Sequence, residues 1–182
     1  MANLKEIRTR IGSVASTMQI TSAMKMVSAA KLKRAQDAIT QMRPYAEKLR
    51  EILVNISSTL EGSAEGAYSQ ERVVKKALIV AIASNRGLCG AFNANIFKAA
   101  EKRIKEYEGK EVQVYAIGKR SADYFAGKYT VFNSNTEIFN DLNYEHVALM
   151  AEEVMAAFVD GEFDKVEIIY NEFKNAATQE VV

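Results

Sequence analysis

Cys89 and His146 are the chain's single cysteine and single histidine. They are the residues best suited to nucleophilic or metal chemistry. A thiol nucleophile needs a base in reach and a third group to orient that base. Cys89 sits in "SNRGLCGAFN" (Ser84 to Asn93), and His146 lies far downstream in a helical pattern with no acid placed to orient it. The two read as a loop thiol and a surface or packing imidazole. No ligand cluster at usable spacing supports a metal. Glu101, Glu106, Glu108, Glu152 and Glu153 fall on helix faces and read as solvated surface. The expectation is no catalytic residue, no metal and no cofactor.

The loop itself poses a second chemical question. It follows the apolar run "ALIVAIA", and an apolar strand, a glycine-rich turn and a helix start is how many phosphate-binding loops begin. A dinucleotide loop needs G-x-G-x-x-G and an acid about 20 residues on; a P-loop ends in Gly-Lys-Ser/Thr. Here only Gly87 and Gly90 occur, and the next strand ends "AIGK" with no acid. The loop reads instead as a structural turn: Gly87 and Gly90 permit a tight reversal, and Asn93 caps the helix that follows. Arg86 and Cys89 would then stand at the carboxyl edge of a sheet, open to protein contact.

Those residues need elements to position them. From Val73 onward strands and helices alternate: "KALIVAIAS" and "VQVYAIG" as strands, with the helix "NANIFKAAEKRIKEYEG" between them. That helix turns Ile96, Phe97, Ala100, Ile104 and Tyr107 inward and ends at Gly109. A short helix "KRSADYFAG" and a strand "YTVFN" follow. The helix "NYEHVALMAEEVMAAFVDG" has Val147, Met150, Ala151, Val154 and Phe158 inward, and "KVEIIYNEF" is a last strand. This alternation predicts an α/β fold, a small Rossmann-like domain with a parallel sheet, over residues 73–182. Residues 61–72, small and polar, read as a linker.

Residues 1–60 are of another kind. Apolar residues recur in steps of three and four: Leu4, Ile7, Ile11, Val14, Met18, then Leu32, Ala35, Ile39, Met42, Ala46, Leu49, Leu53, Ile56 and Leu60. This is a heptad seam, and it predicts one very long N-terminal coiled-coil helix starting after Asn3, with Glu6 completing a capping box. At ~1.5 Å per residue it would run about 85 Å. Around "ITSAMKMVSAAKLKRAQ" the seam fails, and Ile20, Met24, Met26 and Val27 spread around the helix. Residues 1–50 carry 10 Lys and Arg against 3 Asp and Glu, whereas the remainder is net acidic. A cationic helix suggests an anionic partner. A lone helix cannot bury a seam, so its partner helix belongs to another chain or lies beyond Val182. The start lacks a signal peptide's apolar centre, and a single cysteine fits a reducing compartment.

"IRTRIGSVASTMQITSAMKMVSAAKLKRAQ", "RPYAEKLREIL" and "SNRGLCGAFN", in this order, resemble the gamma subunit of F-type ATP synthases, lacking its C-terminal helix. The resemblance covers essentially the whole chain. It implies a central rotor shaft that couples proton translocation to ATP synthesis or hydrolysis at the beta subunits without being a catalyst. It implies one copy per complex, with alpha and beta subunits, an epsilon subunit and a membrane c-ring as partners. The location it implies is peripheral, on the cytoplasmic face of a bacterial membrane. It places Met24, Lys25, Arg86 and Cys89 near acidic loops of the beta subunits, and the cations Lys31, Lys33 and Arg34 on the same shaft section. Similar chains often carry Asp where this one has Asn85 and Lys where it has Ser22. Two other readings are a basic coiled-coil nucleic-acid-binding protein and a small nucleotide-binding enzyme that uses the Ser84–Asn93 loop. The helix offers no aromatic to stack on a base before Tyr45, and neither reading uses the unpartnered helix.

Overall fold

The computed structural model describes residues 3–60, 67–68, 72–175 and 177–182, with the side chains of 57–60 excepted. It divides into two units, Met1–Ser63 and Ala64–Val182. Most of the linker read at 61–72 lies outside the described residues.

The first unit is one helix, α1 (Leu4–Leu60), unbroken through Pro44. Asn3 caps it: its Oδ1 accepts from the Lys5 backbone N–H at 3.3 Å. The second half of the expected capping box does not form, because the Glu6 carboxylate turns toward Arg10, 4.0 Å away. The seam lies open to solvent along the helix, with Ile11 64% exposed, Met18 73% and Leu53 63%.

The second unit is built on a parallel sheet in the order β3-β2-β1-β4. Its strands are β1 (Lys76–Ile82), β2 (Glu111–Ile117), β3 (Val131–Asn135) and β4 (Lys165–Ile169). Helices α2 (Phe92–Glu106), α3 (Lys119–Phe125) and α4 (Tyr144–Val159) connect them. β1 is central and buried over five consecutive residues, as a parallel strand covered on both faces must be. Its side chains alternate between two cores. Ala77, Ile79 and Ala81 pack with Ile96 and Ala100 of α2, Val114 and Phe125. Leu78 and Val80 pack with Tyr115, Phe163 and Ala157 of α4.

Three sequence expectations need correction. On α4, Val147 and Ala151 are exposed, and Met150, Val154 and Ala157 face the sheet instead. The apolar set on α4 is wider than one stripe, so periodicity alone could not choose which edge lies inward. Glu101 and Glu153 are not simply solvated: each is half-buried and accepts a tyrosine hydroxyl, from Tyr124 at 2.7 Å and Tyr115 at 2.9 Å. Finally, "KVEIIYNEF" is not one strand. After β4 the chain forms an antiparallel hairpin of β5 (Asn171–Phe173) and β6 (Gln179–Val181).

Candidate functional site: the carboxyl edge of the sheet

The loop 83–91 leaves the carboxyl end of β1, beside the point where the strand order reverses between β1 and β4. That is where open α/β sheets place their ligands. Here the loop interior is filled by protein. Asn93 is 8% exposed, and its Oδ1 accepts from both the Ser84 backbone N–H and the Ser84 hydroxyl, each at 3.0 Å. Its Nδ2 donates to the Arg86 carbonyl at 3.2 Å and lies 3.3 Å from the Cys89 sulfur. The Ser84 hydroxyl oxygen also lies 2.6 Å from the Arg86 carbonyl, so its one proton is shared between that carbonyl and Asn93 Oδ1. A phosphate cradle turns backbone N–H groups inward. This loop turns a carbonyl inward and takes up the Ser84 N–H with a side chain.

Asn93 is therefore not the expected cap. α2 begins two residues earlier than that cap would place it, with Ala91 in the cap position and no side-chain cap bond. That shift places Asn93 in the first turn, under the loop rather than ahead of the helix. Asn171, leaving β4, donates from Nδ2 to the Phe92 carbonyl at 2.9 Å, tying the chain beyond the reversal point to the start of α2.

The two glycines act differently. Gly90 has φ +60, a conformation that strongly favours glycine. Gly87 lies outside the left-handed region; its missing side chain leaves room for Arg120, whose Nη2 would stand 3.1 Å from a Cβ at that position. Sequence reasoning passed over Gly118, at the end of β2. Its φ is +90, and a Cβ there would lie 2.1 Å from the Ala83 carbonyl oxygen. The edges of two loops meet at that point. Asn85 joins them further: its Oδ1 accepts from the Lys119 N–H, and its Nδ2 donates to the Thr136 carbonyl, both at 2.8 Å. A glycine placed directly after a buried parallel strand was the available signal.

Cys89 is exposed, and the hydrogen-bond partners of its thiol are the Arg86 carbonyl and the Asn93 amide, neither of them a base. His146 is exposed at the start of α4, with Nδ1 3.0 Å from the Asp141 carbonyl. Among the described residues no group of three or more His, Cys, Asp and Glu side chains could hold a metal ion. A groove of about 620 Å³ between α4 and β4 is lined by Val74, Val154, Met155, Phe158 and Ile168. Its charged members have structural duties. Arg72 donates to the Phe158 carbonyl, Asp164 accepts from the Lys75 and Lys76 N–H groups, and Lys165 pairs with Glu167. Those two backbone bonds hold the Asp164 carboxyl below its usual range.

On α1, Met24, Lys25, Lys31, Lys33 and Arg34 are all exposed. At about 100° per residue, Met24, Val27, Lys31 and Arg34 share one side, while Lys25 and Lys33 lie toward the other. None of these four cations makes an ion pair among the described residues. The structure brings Arg86, Cys89, Gly87 and Gly90 together in one loop, while Met24, Lys25, Lys31, Lys33 and Arg34 belong to the separate helical unit. No helix among the described residues is long and apolar enough to cross a membrane.

The structure thus consists of a parallel α/β unit whose loop is filled by its own side chains, and a separate long helix whose apolar seam is open. A family model described as ATP synthase matches residues 3–182. The chain belongs to the ATP synthase family, among its gamma chains. It is 62% identical over 179 residues to the ATP synthase gamma chain of Flavobacterium johnsoniae, covering 98% of this chain and 63% of that one. It is 54% identical to the gamma chain of Christiangramia forsetii, with the same 98% and 63% coverage. The chain thus spans 63% of the length of these relatives. Among solved structures it is similar to a chain in the central stalk and c-ring of the Tetrahymena thermophila mitochondrial ATP synthase. The TM-score is 0.71 and the identity 27%, covering 90% of this chain and 70% of that one. A chain in the rotor of the Euglena gracilis enzyme shares the fold, with a TM-score of 0.63 and 22% identity over 96% of this chain and 59% of that one.

Proposed function

We propose that this chain is the central rotor shaft of an ATP synthase. It would couple ion translocation at a membrane ring to ATP synthesis or hydrolysis on surrounding catalytic subunits, without catalysing a reaction itself. The observation that carries the reading is α1: 57 residues of continuous helix with an apolar seam exposed along its length. A helix that long outruns any core this chain offers, and a stripe of that kind is stable when another helix covers it. Membership of the gamma chains supports the same reading.

The failed part of the seam then has a use. Met24, Lys25, Lys31, Lys33 and Arg34 would meet the inner surface of an alpha–beta ring, as Arg86 and Cys89 would from the α/β unit. Exposed ion pairs are each worth roughly 0–1 kcal/mol. A rotating shaft can exchange such contacts where deep, desolvated salt bridges would hold it. Driving three equivalent sites into different states requires different contacts with each. A single helix whose cations and methionines spread around its circumference offers a different face to each neighbour. The proposed partners are alpha and beta subunits, an epsilon subunit and a c-ring, with one copy of this chain per complex. The proposed location is peripheral, at the cytoplasmic face of a bacterial membrane.

Native mass spectrometry of the chain mixed with isolated alpha and beta subunits tests the reading. The expected species holds one copy of this chain with three of each partner. Failure of that species to form, both with this chain and with a version extended by a gamma-type C-terminal helix, would overturn the shaft assignment.

A further inference from the structure

The chain between α1 and β1 is the covalent path by which tension on the helix reaches the sheet. Residues 72–75 are the last stretch of that path, and they belong to no helix or strand. The β1 ladder starts only at Lys76, opposite Glu111, and at Ala77, opposite Lys165. Elements open from their ends. A strand end held by ladder bonds alone would yield to a pull one bond after another.

This end is held by more than its ladder. Arg72 Nη1 donates to the Phe158 carbonyl at 2.9 Å, and the guanidinium lies 4.9 Å from the centre of the Phe158 ring. Phe158 is in the last turn of α4, which has no basic residue of its own there. Arg72, 86 residues earlier in the chain, supplies the positive charge that a helix C-terminus favours. Asp164 stands directly before β4. Its Oδ2 accepts from the Lys75 and Lys76 N–H groups at 2.8 and 2.9 Å, and its own N–H donates to the Lys76 carbonyl at 2.9 Å. Of the two valines in the segment, Val73 is 83% exposed and only Val74 packs against the core. Directed bonds to charged groups, more than burial, fix residues 72–76 to the turn between α4 and β4.

We infer that Arg72 and Asp164 form a mechanical clamp, which passes tension arriving along the chain from α1 to the end of α4 and the start of β4 before it reaches the β1 ladder. Hydrogen bonds to ionised groups suit that use, being roughly twice as strong as neutral ones. The clamp joins the entering chain to two elements at once, so a pull is shared instead of peeling β1. The inference rests on the shaft reading for the source of the load, since a shaft turning against resistance would tension this path. The clamp's response to force does not depend on any other subunit.

The test holds the full chain in optical tweezers, with Cys89→Ser so that handles attach only at introduced cysteines. Handles at Arg50→Cys and Asp123→Cys send tension through residues 72–75; handles at Asp123→Cys and Glu145→Cys bypass them. All of these sites are exposed. In the first geometry Arg72→Gln should raise the opening rate of the α/β unit at fixed force by roughly ten- to a hundred-fold, the loss of one hydrogen bond to a charged group. Arg72→Lys keeps the charge but not the planar stack on Phe158, and should raise it by less. Asp164→Asn keeps an acceptor oxygen without the charge, and should raise it by roughly three- to ten-fold. In the second geometry each variant should change the rate by less than about three-fold, because the clamp is still closed when the unit begins to open. Equal acceleration in both geometries would make these contacts a matter of stability alone and overturn the clamp, as would unchanged rates in the first. If Arg72→Gln does not fold, Arg72→Lys and Asp164→Asn decide the question. Either failure leaves the shaft reading standing, since no other subunit takes part.

Discussion

Replacing Gly118 with alanine tests how the carboxyl edge is held together. Two costs separate cleanly there. The first is conformational: φ +90 suits glycine, and an L-residue in left-handed backbone loses roughly 1–2 kcal/mol. The second is steric. The added Cβ would lie 2.1 Å from the Ala83 carbonyl oxygen, closer than real Cβ atoms approach, and a tight 3.0 Å from Phe139 Cε2. Ala83 cannot withdraw freely, because its N–H donates to the Ile117 carbonyl at 2.9 Å, and the Gly118 N–H donates to the Asn135 carbonyl at 2.8 Å. Parting the loops loses at least one of these bonds, each worth about 1 kcal/mol, and disturbs the core beneath. The total is about 3–5 kcal/mol, a large share of the roughly 5–15 kcal/mol that a domain holds. Gly109 supplies the control: its φ is +82, but nothing lies within 4 Å of its Cβ position, so alanine there bears only the conformational cost. The assay is urea unfolding followed by tyrosine near-ultraviolet circular dichroism, since Tyr107 and Tyr115 lie in the α/β core while α1 dominates the far-ultraviolet signal. With a slope of about 2 kcal/mol/M, the Gly118→Ala midpoint should fall by about 2 M and the Gly109→Ala midpoint by about 0.5–1 M. Equal shifts in the two variants would refute the close-approach argument.

Asn85→Asp keeps the acceptor for Lys119 N–H but cannot donate to the Thr136 carbonyl. It should cost roughly 1–2 kcal/mol in the same unfolding assay, and Asn85→Ala should cost more. Asn93→Leu should open the loop, because it removes both the acceptor for Ser84 and the donor to Arg86; faster labelling of Cys89 by a thiol reagent would report it. Burial opposes ionisation of Glu167, but hydrogen bonds from Tyr107 and Lys165 and the charge of Arg103 outweigh it and hold its pKa down. The folded pKa is below the unfolded one, so its stabilisation is present above the ordinary glutamate range and fades as pH falls through the folded value. Glu167→Gln should flatten the acid limb of the stability–pH curve. Burial and the neighbouring Glu153 push the Tyr115 hydroxyl well above its ordinary value of 10.0. Its contribution is complete below that value and is lost as pH rises toward the folded pKa, so Tyr115→Phe should shift the alkaline limb.

The sequence by itself determined the long helix to within a residue of its start, because a heptad seam with few glycines has one regular solution. It determined the alternation of strands and helices, since β1 is a continuous apolar run and α2 carries a clean stripe from Ile96 to Ala100 and Tyr107. It also ruled out familiar phosphate loops, because those need glycines and acids at fixed spacing. Motif resemblance pointed to the ATP synthase gamma chains through residues whose spacing is specific. Tertiary structure decided what depends on partners distant in the chain. Asn93 reads as a cap until the loop folds back over it. Gly118 is an ordinary strand end until Ala83 is beside it. Glu153 and Glu101 are surface acids until tyrosines from other elements reach them. The inward edge of α4 depends on where the sheet presents Leu78, Val80 and Tyr115. Local pattern fixes periodicity and propensity, which act over a few residues; close approach and hydrogen-bond satisfaction are set by contacts that only folding brings together.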